Sequence, residues 1–306
     1  MDFISAIKKF IKRVVYTLYR LQENVDDSKV LQGKILAELN KNRSHLFKEN
    51  IQQAEFKVFS QWGDDGIIEF LVSYLNIPEK SFIEFGVEDF TESNTRFLLI
   101  NHNWRGLILD GNRKDIDYIL DDEITWRHTL IARHAFITKE NINQLIHENG
   151  FSGELGLLHI DIDGNDYWVW DAIDSVNPII VIVEYNSVFG KDRAITVPYN
   201  PGFNRTNAHY SNLYFGTSLK ALVTLGGKKG YSFIGSNSHG NNAYFIRNDK
   251  VKDLKVRSVE EGYVESKFRE GRLQNGQHSY LAGKDRLAAL NGLPVINIES
   301  GSTETL

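Results

Sequence analysis

The sequence predicts an α/β protein with a doubly wound, seven-stranded, mostly parallel Rossmann-like sheet, preceded by an N-terminal helical segment. Short apolar, β-rich runs alternate with helical patterns from about residue 55 onward. The run from Pro178 to Tyr185 is apolar enough to be buried on both faces of a sheet. The first fifty residues differ from the rest, because their apolar side chains recur with a heptad spacing.

The predicted elements follow one another in the order that a parallel sheet requires. The predicted strands are Ser81–Val87, Gly106–Asp110, Thr129–Phe136, Leu155–Ile162, Pro178–Tyr185, Tyr231–Gly235 and Asn242–Arg247. The predicted helices are Asp64–Asn76, Asn94–Asn101, Ile142–His147, Trp168–Ile173 and Tyr214–Lys229. Parallel sheets bind ligands beyond the carboxyl ends of their strands, so functional residues are expected directly after the strands.

The N-terminal segment has the pattern of a coiled coil. Stepping alternately three and four residues from Ile4 to Leu46 meets thirteen positions, of which ten are apolar. The polar stretch around Ser28, Gln32 and Gly33 predicts a break, and hence two helices that oligomerise or fold back. The alternative is a helix lying on an anionic membrane, because the first twenty residues carry five cations and only one acid. Residues 1–50 are therefore predicted to be a coiled-coil, oligomerisation or membrane-surface segment, and 51–306 a Rossmann-like domain.

Composition excludes several classes of protein. The 306 residues carry a net charge of −5, which argues against a nucleic-acid partner. The chain has no cysteine, so it has neither disulfides nor thiolate metal sites. It has no apolar stretch long enough to span a membrane, and its basic N-terminus lacks the apolar core of a secretory signal. We expect a cytoplasmic protein, with the inner face of the membrane as the alternative location.

Two motifs predict a site for an adenosine-containing ligand. Glu84 and Gly86 end the first predicted strand, and this turn lacks the further glycines of a pyrophosphate cradle. An acid beside one glycine suits a cationic amino-acid ligand better than a dinucleotide. Asp110, followed by Gly111 and Asn112, ends the second strand and can accept hydrogen bonds from both hydroxyls of a ribose.

Carboxylates also follow the fourth and fifth predicted strands. Asp161 and Asp163 follow one strand, and Glu184 and Asn186 end the next. Such oxygen ligands suit Mg²⁺ or Mn²⁺, and we take Asp161, Glu184 and Asn186 as the candidate metal ligands. The same side chains could instead orient a sugar by hydrogen bonds, or Asp163 could cap a helix.

Candidates for acid–base chemistry and phosphate binding complete the set. The catalytic candidates are Asp163, Asn186 and His239, the last in a loop between the final two strands. His159 is predicted to be a core or wall residue. Arg269 and Arg272 could bind a phosphate, although a solvated helix face explains them equally well.

The ordered set of motifs resembles a bacterial branch of the FkbM-like class I S-adenosylmethionine-dependent methyltransferases, many of which are linked to glycan or natural-product biosynthesis. The resemblance covers roughly residues 55–295 and rests on Phe82–Arg96, Leu107–Asn112, His159–Trp170 and Val183–Asn186, with the lead-in Phe59–Ile67 and the strand Asn242–Arg247.

The resemblance implies that S-adenosyl-L-methionine is the cofactor and that a sugar hydroxyl of a nucleotide sugar or surface glycan is the acceptor. The implied cofactor-binding residues are Gln61, Glu84, Gly86, Asp110, Gly111, Asn112, Ala135, Phe136 and Asp161. Similar macrocin-type sugar O-methyltransferases use a divalent metal held by carboxylates where Asp161 and Glu184 fall. The rival interpretations are a nicotinamide-dependent oxidoreductase and a non-catalytic coiled-coil assembly protein.

Overall fold

The computed structural model describes residues 3–267 and 270–306 and confirms the predicted fold class. The main sheet has seven strands in the order β3-β2-β1-β4-β5-β8-β7. These strands are β1 Ser81–Phe85, β2 Arg105–Asp110, β3 Leu130–His134, β4 Gly153–Ile160, β5 Val176–Glu184, β7 Tyr231–Ser236 and β8 Asn242–Arg247. All neighbours from β3 to β5 pair in parallel, whereas β8 runs antiparallel to both β5 and β7.

Helices cover both faces of this sheet, as a doubly wound fold requires. On one face the core contains α3, α4 and α5, and on the other α7, α8 and α10. The helices are α1 Phe3–Lys41, α2 Ser44–Glu49, α3 Asp64–Leu75, α4 Arg96–His102, α5 Arg113–Asp121, α6 Ile124–Arg127, α7 Ile142–Glu148, α8 Asp166–Ala172, α9 Arg205–Ala208, α10 Leu219–Lys228, α11 Val259–Gly262 and α12 Lys284–Ala288. Successive strand residues alternate between the two cores, as Phe82 and Ile83 do, because side chains of a strand point to opposite faces.

The chain between β5 and α10 and the C-terminal region form a second, small sheet that the sequence pattern did not reveal. Its strands are β6 Ile195–Thr196, β9 Pro294–Asn297 and β10 Thr303–Thr305, all paired antiparallel. They enclose a separate apolar cluster that includes Ile195, Leu213 and Val295. Strands of two to four residues are too short to show a periodic pattern, which explains why they were not predicted.

The predicted break in the N-terminal segment is wrong, because α1 is continuous from Phe3 to Lys41. Gly33 does not end the helix but forms its closest contact with the domain. A Cβ atom at this position would lie 2.6 Å from Val58 Cγ2 and 2.9 Å from Phe97 Cζ. The missing side chain therefore lets the helix approach the apolar cluster of Val58, Phe59 and Phe97.

Within the described ranges 3–267 and 270–306, no helix has the length and apolar character needed to cross a membrane.

Substituting Gly33 by leucine is expected to loosen this contact. The added side chain must displace Val58 and Phe97, and overpacking of this kind lowers the free energy of unfolding by about 1–3 kcal/mol. The exposed neighbour Lys34 provides the control, since Lys34→Leu adds the same side chain away from the contact. Urea unfolding of both variants tests this, and an equal loss of stability in the two would contradict the assigned role of Gly33.

Candidate active site

A cavity of about 880 Å³ opens at the carboxyl ends of β1, β2, β4 and β5. All the residues that the sequence predicted to bind the cofactor line it, namely Gln61, Glu84, Gly86, Asp110, Gly111, Asn112, Ala135, Phe136 and Asp161. The cavity is therefore where the parallel topology requires a ligand site. Its volume lies within the usual range for small-molecule sites.

The turn after β1 is built on Gly86, which adopts a positive φ of 69°. A Cβ atom here would lie 1.6 Å from the backbone oxygen of Asp161, so no other residue fits without moving the chain. The loop after β1 thus touches the loop after β4 directly. This contact holds the two predicted halves of the site, the cofactor turn and the carboxylate cluster, at a fixed separation.

Beneath this turn, Glu84 anchors the start of α4 rather than offering a free carboxylate. Its oxygens accept hydrogen bonds from Ser93 Oγ (2.5 Å), Asn94 N (3.0 Å) and both the backbone N (3.2 Å) and hydroxyl of Thr95. Nδ1 of His159 lies 2.9 Å from Glu84 Oε1. Glu84 lines the cavity as predicted, but its hydrogen-bonding capacity is already taken by the protein.

The Glu84–His159 pair is buried, with both side chains almost inaccessible to water. Burial alone would raise the pKa of Glu84, but His159 and the hydroxyls of Ser93 and Thr95 lower it below the ordinary value of 4.5. Burial would likewise lower the pKa of His159, but Glu84 raises it above 6.5. Each group therefore stabilises the charged form of the other. His159 Nε2 also lies 3.1 Å from Asn94 Nδ2, which completes the predicted wall residue's contacts.

Asp110 keeps acceptor capacity for a ligand. Each of its carboxylate oxygens accepts one backbone hydrogen bond, from Glu88 N at 2.9 Å and from Asn112 N at 2.7 Å. An ionised carboxylate accepts about four hydrogen bonds, so two remain for a diol. Asn112 itself caps α5, because its side chain accepts a hydrogen bond from Lys114 N. The half-exposed ring of Phe136 lies beside Gly111 and gives this part of the cavity a flat apolar wall.

The wall opposite this one is positioned by an acidic pair at the start of α3, which sequence reasoning passed over. Asp65 Oδ2 accepts hydrogen bonds from the backbone of Val58, Phe59 and Ser60, and from the Ser60 hydroxyl, at 2.7–2.8 Å. The adjacent Asp64 is bound by the side chains of Asn237, Asn242 and Tyr244. The visible signal was two acids directly before an apolar helical pattern, which marks a helix N-terminus.

Asp161, Asp163 and Glu184 converge, with one carboxylate oxygen from each lying within 4.8 Å of the others. Burial and the charge of Asp163 raise the pKa of Asp161 to about 7. Burial and the charge of Asp161 raise the pKa of Glu184 well above 4.5. The cluster holds more negative charge than its surroundings compensate. It therefore favours a proton or a cation.

Arg205 is the cation nearest to this cluster, and the sequence pattern did not identify it. Its guanidinium donates to Asp163 Oδ1 at 2.6 Å and to Glu270 Oε2 at 2.8 Å, and it stacks 3.9 Å above the Phe215 ring. Asp163 is held with a φ of 53°, a left-handed conformation that aspartate tolerates better than most residues. The side chain of Asp163 is therefore oriented by both its backbone and its ion pair.

Four buried oxygens on the cavity wall have no hydrogen-bond partner among the described residues. They are Asn165 Oδ1, Glu184 Oε2, Asn212 Oδ1 and Asn242 Oδ1. All four are acceptors, so a hydroxyl or amino hydrogen, or a cation, would complement them once a side-chain movement turns them into the cavity.

Two predicted catalytic residues do not serve that role in the structure. The prediction of Asn186 as a catalytic residue and as a metal ligand is wrong, because its side chain is used within the protein. Its amide nitrogen donates to Leu213 O and Phe215 O, and its oxygen accepts from Val188 N. His239 stacks on the Trp62 ring with centroids 4.2 Å apart. Trp62 lines the cavity, whereas His239 is not among the residues that line it.

Of the two predicted phosphate ligands, Arg269 lies outside the described residues, so their joint role stays a prediction. Arg272 pairs through its backbone with Ser211 and bridges to His278. His209, a second loop histidine, is 2.8 Å from the Ser211 hydroxyl.

Comparison with protein-family models gives no match for this chain, and comparison with curated proteins gives none either. Among solved structures it is similar to the O-methyltransferase from Bacillus cereus in complex with SAH, with 14% identity, 72% of this chain and 89% of that chain covered, and a TM-score of 0.40. It is also similar to TrmK from M. capricolum in complex with S-adenosyl-homocysteine, with 13% identity, 58% of this chain and 67% of that chain covered, and a TM-score of 0.33. A third similar structure is the SAH-bound N-terminal domain of EvdMO1, with 9% identity, 61% of this chain and 80% of that chain covered, and a TM-score of 0.40. With TM-scores below 0.5, none of these likenesses by itself identifies what this chain does.

Removing the charge of Glu84 is expected to destabilise the protein in a pH-dependent manner. The ionised Glu84 contributes to the free energy of unfolding above pH 4.5, and this contribution is lost as the pH falls through the lowered pKa of Glu84. That of His159 is complete below pH 6.5 and is lost as the pH rises through its raised pKa. Glu84→Gln should therefore cost most between pH 4.5 and 6.5, by about 3–5 kcal/mol, as for other broken buried pairs.

Urea unfolding between pH 4 and 8 measures this difference. The control is Glu92→Gln, which changes an exposed carboxylate in the same loop. A loss that is independent of pH would mean that the ion pair does not govern the stability of the loop.

Proposed function

We propose that this protein is an S-adenosylmethionine-dependent O-methyltransferase acting on a sugar hydroxyl of a nucleotide sugar or surface glycan. One observation carries the proposal: a single cavity is lined by the glycine turn of Gly86, by the carboxylate of Asp110 and by the carboxylate cluster of Asp161, Asp163 and Glu184. Such a cavity has room for a nucleoside-containing methyl donor and, in contact with it, a methyl acceptor whose hydroxyls donate hydrogen bonds to the protein.

The cofactor half consists of residues with distinct tasks. Asp110 would accept both ribose hydroxyls, and Phe136 would cover the adenine ring. The glycine at position 86 would allow the amino-acid part of the cofactor to approach the backbone closely. The acidic residues that line the cavity would suit the ammonium group of that part. S-adenosylmethionine supplies an electrophilic methyl group on a sulfonium. Holding the acceptor hydroxyl in line with that methyl contributes about 7–11 kcal/mol in well-oriented systems.

The acceptor half must take up a proton, because a sugar hydroxyl is a weak nucleophile at neutral pH. Asp161 and Glu184 can hold that proton between them, since two neighbouring carboxylates, one half-buried and one buried, do not both ionise readily. Arg205 holds Asp163 at the rim, and the unpaired oxygens of Asn165, Asn212 and Asn242 can each receive a hydroxyl of the sugar.

The donor set also fits a divalent cation. Asp161, Asp163 and Glu184 offer three hard oxygens within 4.8 Å, in place of the predicted set with Asn186. Bound there, Mg²⁺ or Mn²⁺ would lower the pKa of the acceptor hydroxyl.

Weakening the ribose contact should reduce cofactor affinity. Asp110→Asn keeps the shape of the side chain but loses its charge, which should raise the Kd for S-adenosylhomocysteine about tenfold or more. Asp117→Asn is the control, because Asp117 is exposed on α5 and does not line the cavity. Isothermal titration measures both. Equal affinities would exclude the ribose role, and binding of NADH but not of S-adenosylhomocysteine would favour an oxidoreductase.

Neutralising Asp161 should abolish turnover and raise stability. Because its pKa is raised from 3.8 to about 7, the ionised carboxylate costs folded-state stability increasingly as the pH rises across that interval, and Asp161→Asn removes this cost. The assays are Tm at pH 8 and transfer of radiolabelled methyl to nucleotide sugars and glycans, with and without a chelator.

A metal-dependent enzyme would lose turnover in the chelator and regain it with Mg²⁺ or Mn²⁺, and the ion would raise the Tm of the wild type but not of Asp161→Asn. Turnover that survives the substitution would contradict the proposed site. Asp171→Asn, on the exposed side of α8, is the matched control.

A further inference from the structure

The apolar stripe of α1 is exposed along its whole length. Its heptad positions a and d from residue 7 to 39 are apolar except for Ser28 and Gln32, and the apolar ones are between 39% (Val14) and 62% (Leu39) accessible. The flanking side chains Phe10, Val15, Leu31 and Leu36 are also exposed. An exposed apolar strip of this length normally marks a contact surface.

The opposite side of the same helix already packs on the domain. Between residues 21 and 41 only heptad positions b and f are shielded from water, namely Glu23, Asp26, Val30, Gly33, Ala37 and Asn40. Glu23 pairs with Arg127 at 3.3 Å, and Val30 packs against the cluster of Val58, Phe59 and Phe97. Positions b and f lie away from the a/d seam of a coiled coil, so another helix can occupy the seam without displacing the domain.

We propose that the a/d stripe of α1 binds the α1 of a second copy of this chain, forming a parallel, in-register, two-stranded coiled coil. The polar seam residues favour this arrangement. In a parallel pair, Ser28 and Gln32 each face their own counterpart. In an antiparallel pair aligned over the full stripe, they would face Leu18 and Val14, and the Gln32 amide would be buried against Val14 without a hydrogen-bond partner.

The residues beside the seam agree with the parallel arrangement. In a parallel pair each g position meets the e position five residues further along the second copy. Phe10 then meets Val15, and Leu31 meets Leu36, so apolar side chains meet apolar ones. The polar Asn24 meets Lys29. The cations Lys9, Lys12, Arg13 and Arg20 fall at positions b, c and f, outside the seam.

The size of the stripe is sufficient for a stable dimer. From residue 7 to 39 the helix extends about 50 Å. A standard interface buries about 800 Å² per partner, and twelve large, largely exposed apolar side chains along this length offer an area of that order.

An anionic membrane is a poorer occupant of the stripe. Residues 3–22 carry five cations and no acid, and since the whole chain carries −5, the remainder carries −10. The stripe continues through residues 25–39, where Asp26, Asp27 and Glu38 alternate with lysines and the acidic domain lies alongside. An anionic lipid surface would repel residues 25–39, whereas the α1 of a second copy can cover the whole stripe.

The test uses the whole 306-residue chain, which contains no cysteine. Light scattering after size exclusion should give twice the 35.0 kDa of one chain. Val25→Cys, at a seam position, should form a disulfide-linked dimer on mild oxidation, because residue 25 meets its own counterpart only in the parallel register. Arg20→Cys, on the outer face, is the matched control and should remain largely unlinked.

Leu18→Glu should halve the mass at micromolar concentration, whereas Arg20→Glu should leave the dimer intact. A monomeric wild type would overturn the proposal. The proposal would also be overturned if Val25→Cys formed no disulfide with itself but did form one with Leu21→Cys in a mixture of the two variants. That result would indicate an antiparallel pair. Binding of a monomer to phosphatidylserine vesicles would assign the stripe to a membrane instead.

Discussion

The site depends on a buried carboxylate, Glu84, near the carboxyl end of the inner strand β1. It accepts hydrogen bonds from three consecutive residues before α4 and contacts His159 on the neighbouring strand β4. One side chain therefore joins two strands and a loop. An unpaired charge at this depth would be costly, so the surrounding donors must keep their positions. This constraint positions the glycine turn at residue 86 and, through it, the loop that carries Asp161.

The second constraint is an imbalance of charge. Asp161, Asp163 and Glu184 lie close together with Arg205 as their nearest cation, and Arg205 also binds Glu270. Structural stability alone does not favour such a cluster, since burial and mutual repulsion raise the pKa of its members. Functional sites often retain groups of this kind because proton or cation binding depends on them. The unpaired oxygens nearby add acceptors that have no partner among the described residues.

The N-terminal helix contacts the domain with one face and leaves its apolar face exposed. Its b and f positions bind the domain, with Gly33 allowing the close approach, and its a and d positions remain outside. A helix can serve two partners when their contact faces lie well apart around its axis. The polar residues that looked like a break are instead compatible with a continuous helix, because Gly33 contributes to packing and Ser28 hydrogen-bonds to the backbone of Asn24.

The sequence by itself determined the sheet, the edge at which the cavity opens and many of the residues that line it. These features rest on local periodicity and on the residue that ends each strand, as with Gly86 and Asp110. The heptad stripe was also readable, since it is a pattern within one helix.

Only the tertiary structure decided which polar side chains remain available. The amide nitrogen of Asn186 is occupied by carbonyl groups of residues 213 and 215, His239 stacks on Trp62, and Arg205 reaches the cluster from the first residue of α9. Whether a donor or acceptor is free depends on neighbours far along the chain, and strand and helix periods carry no information about those neighbours.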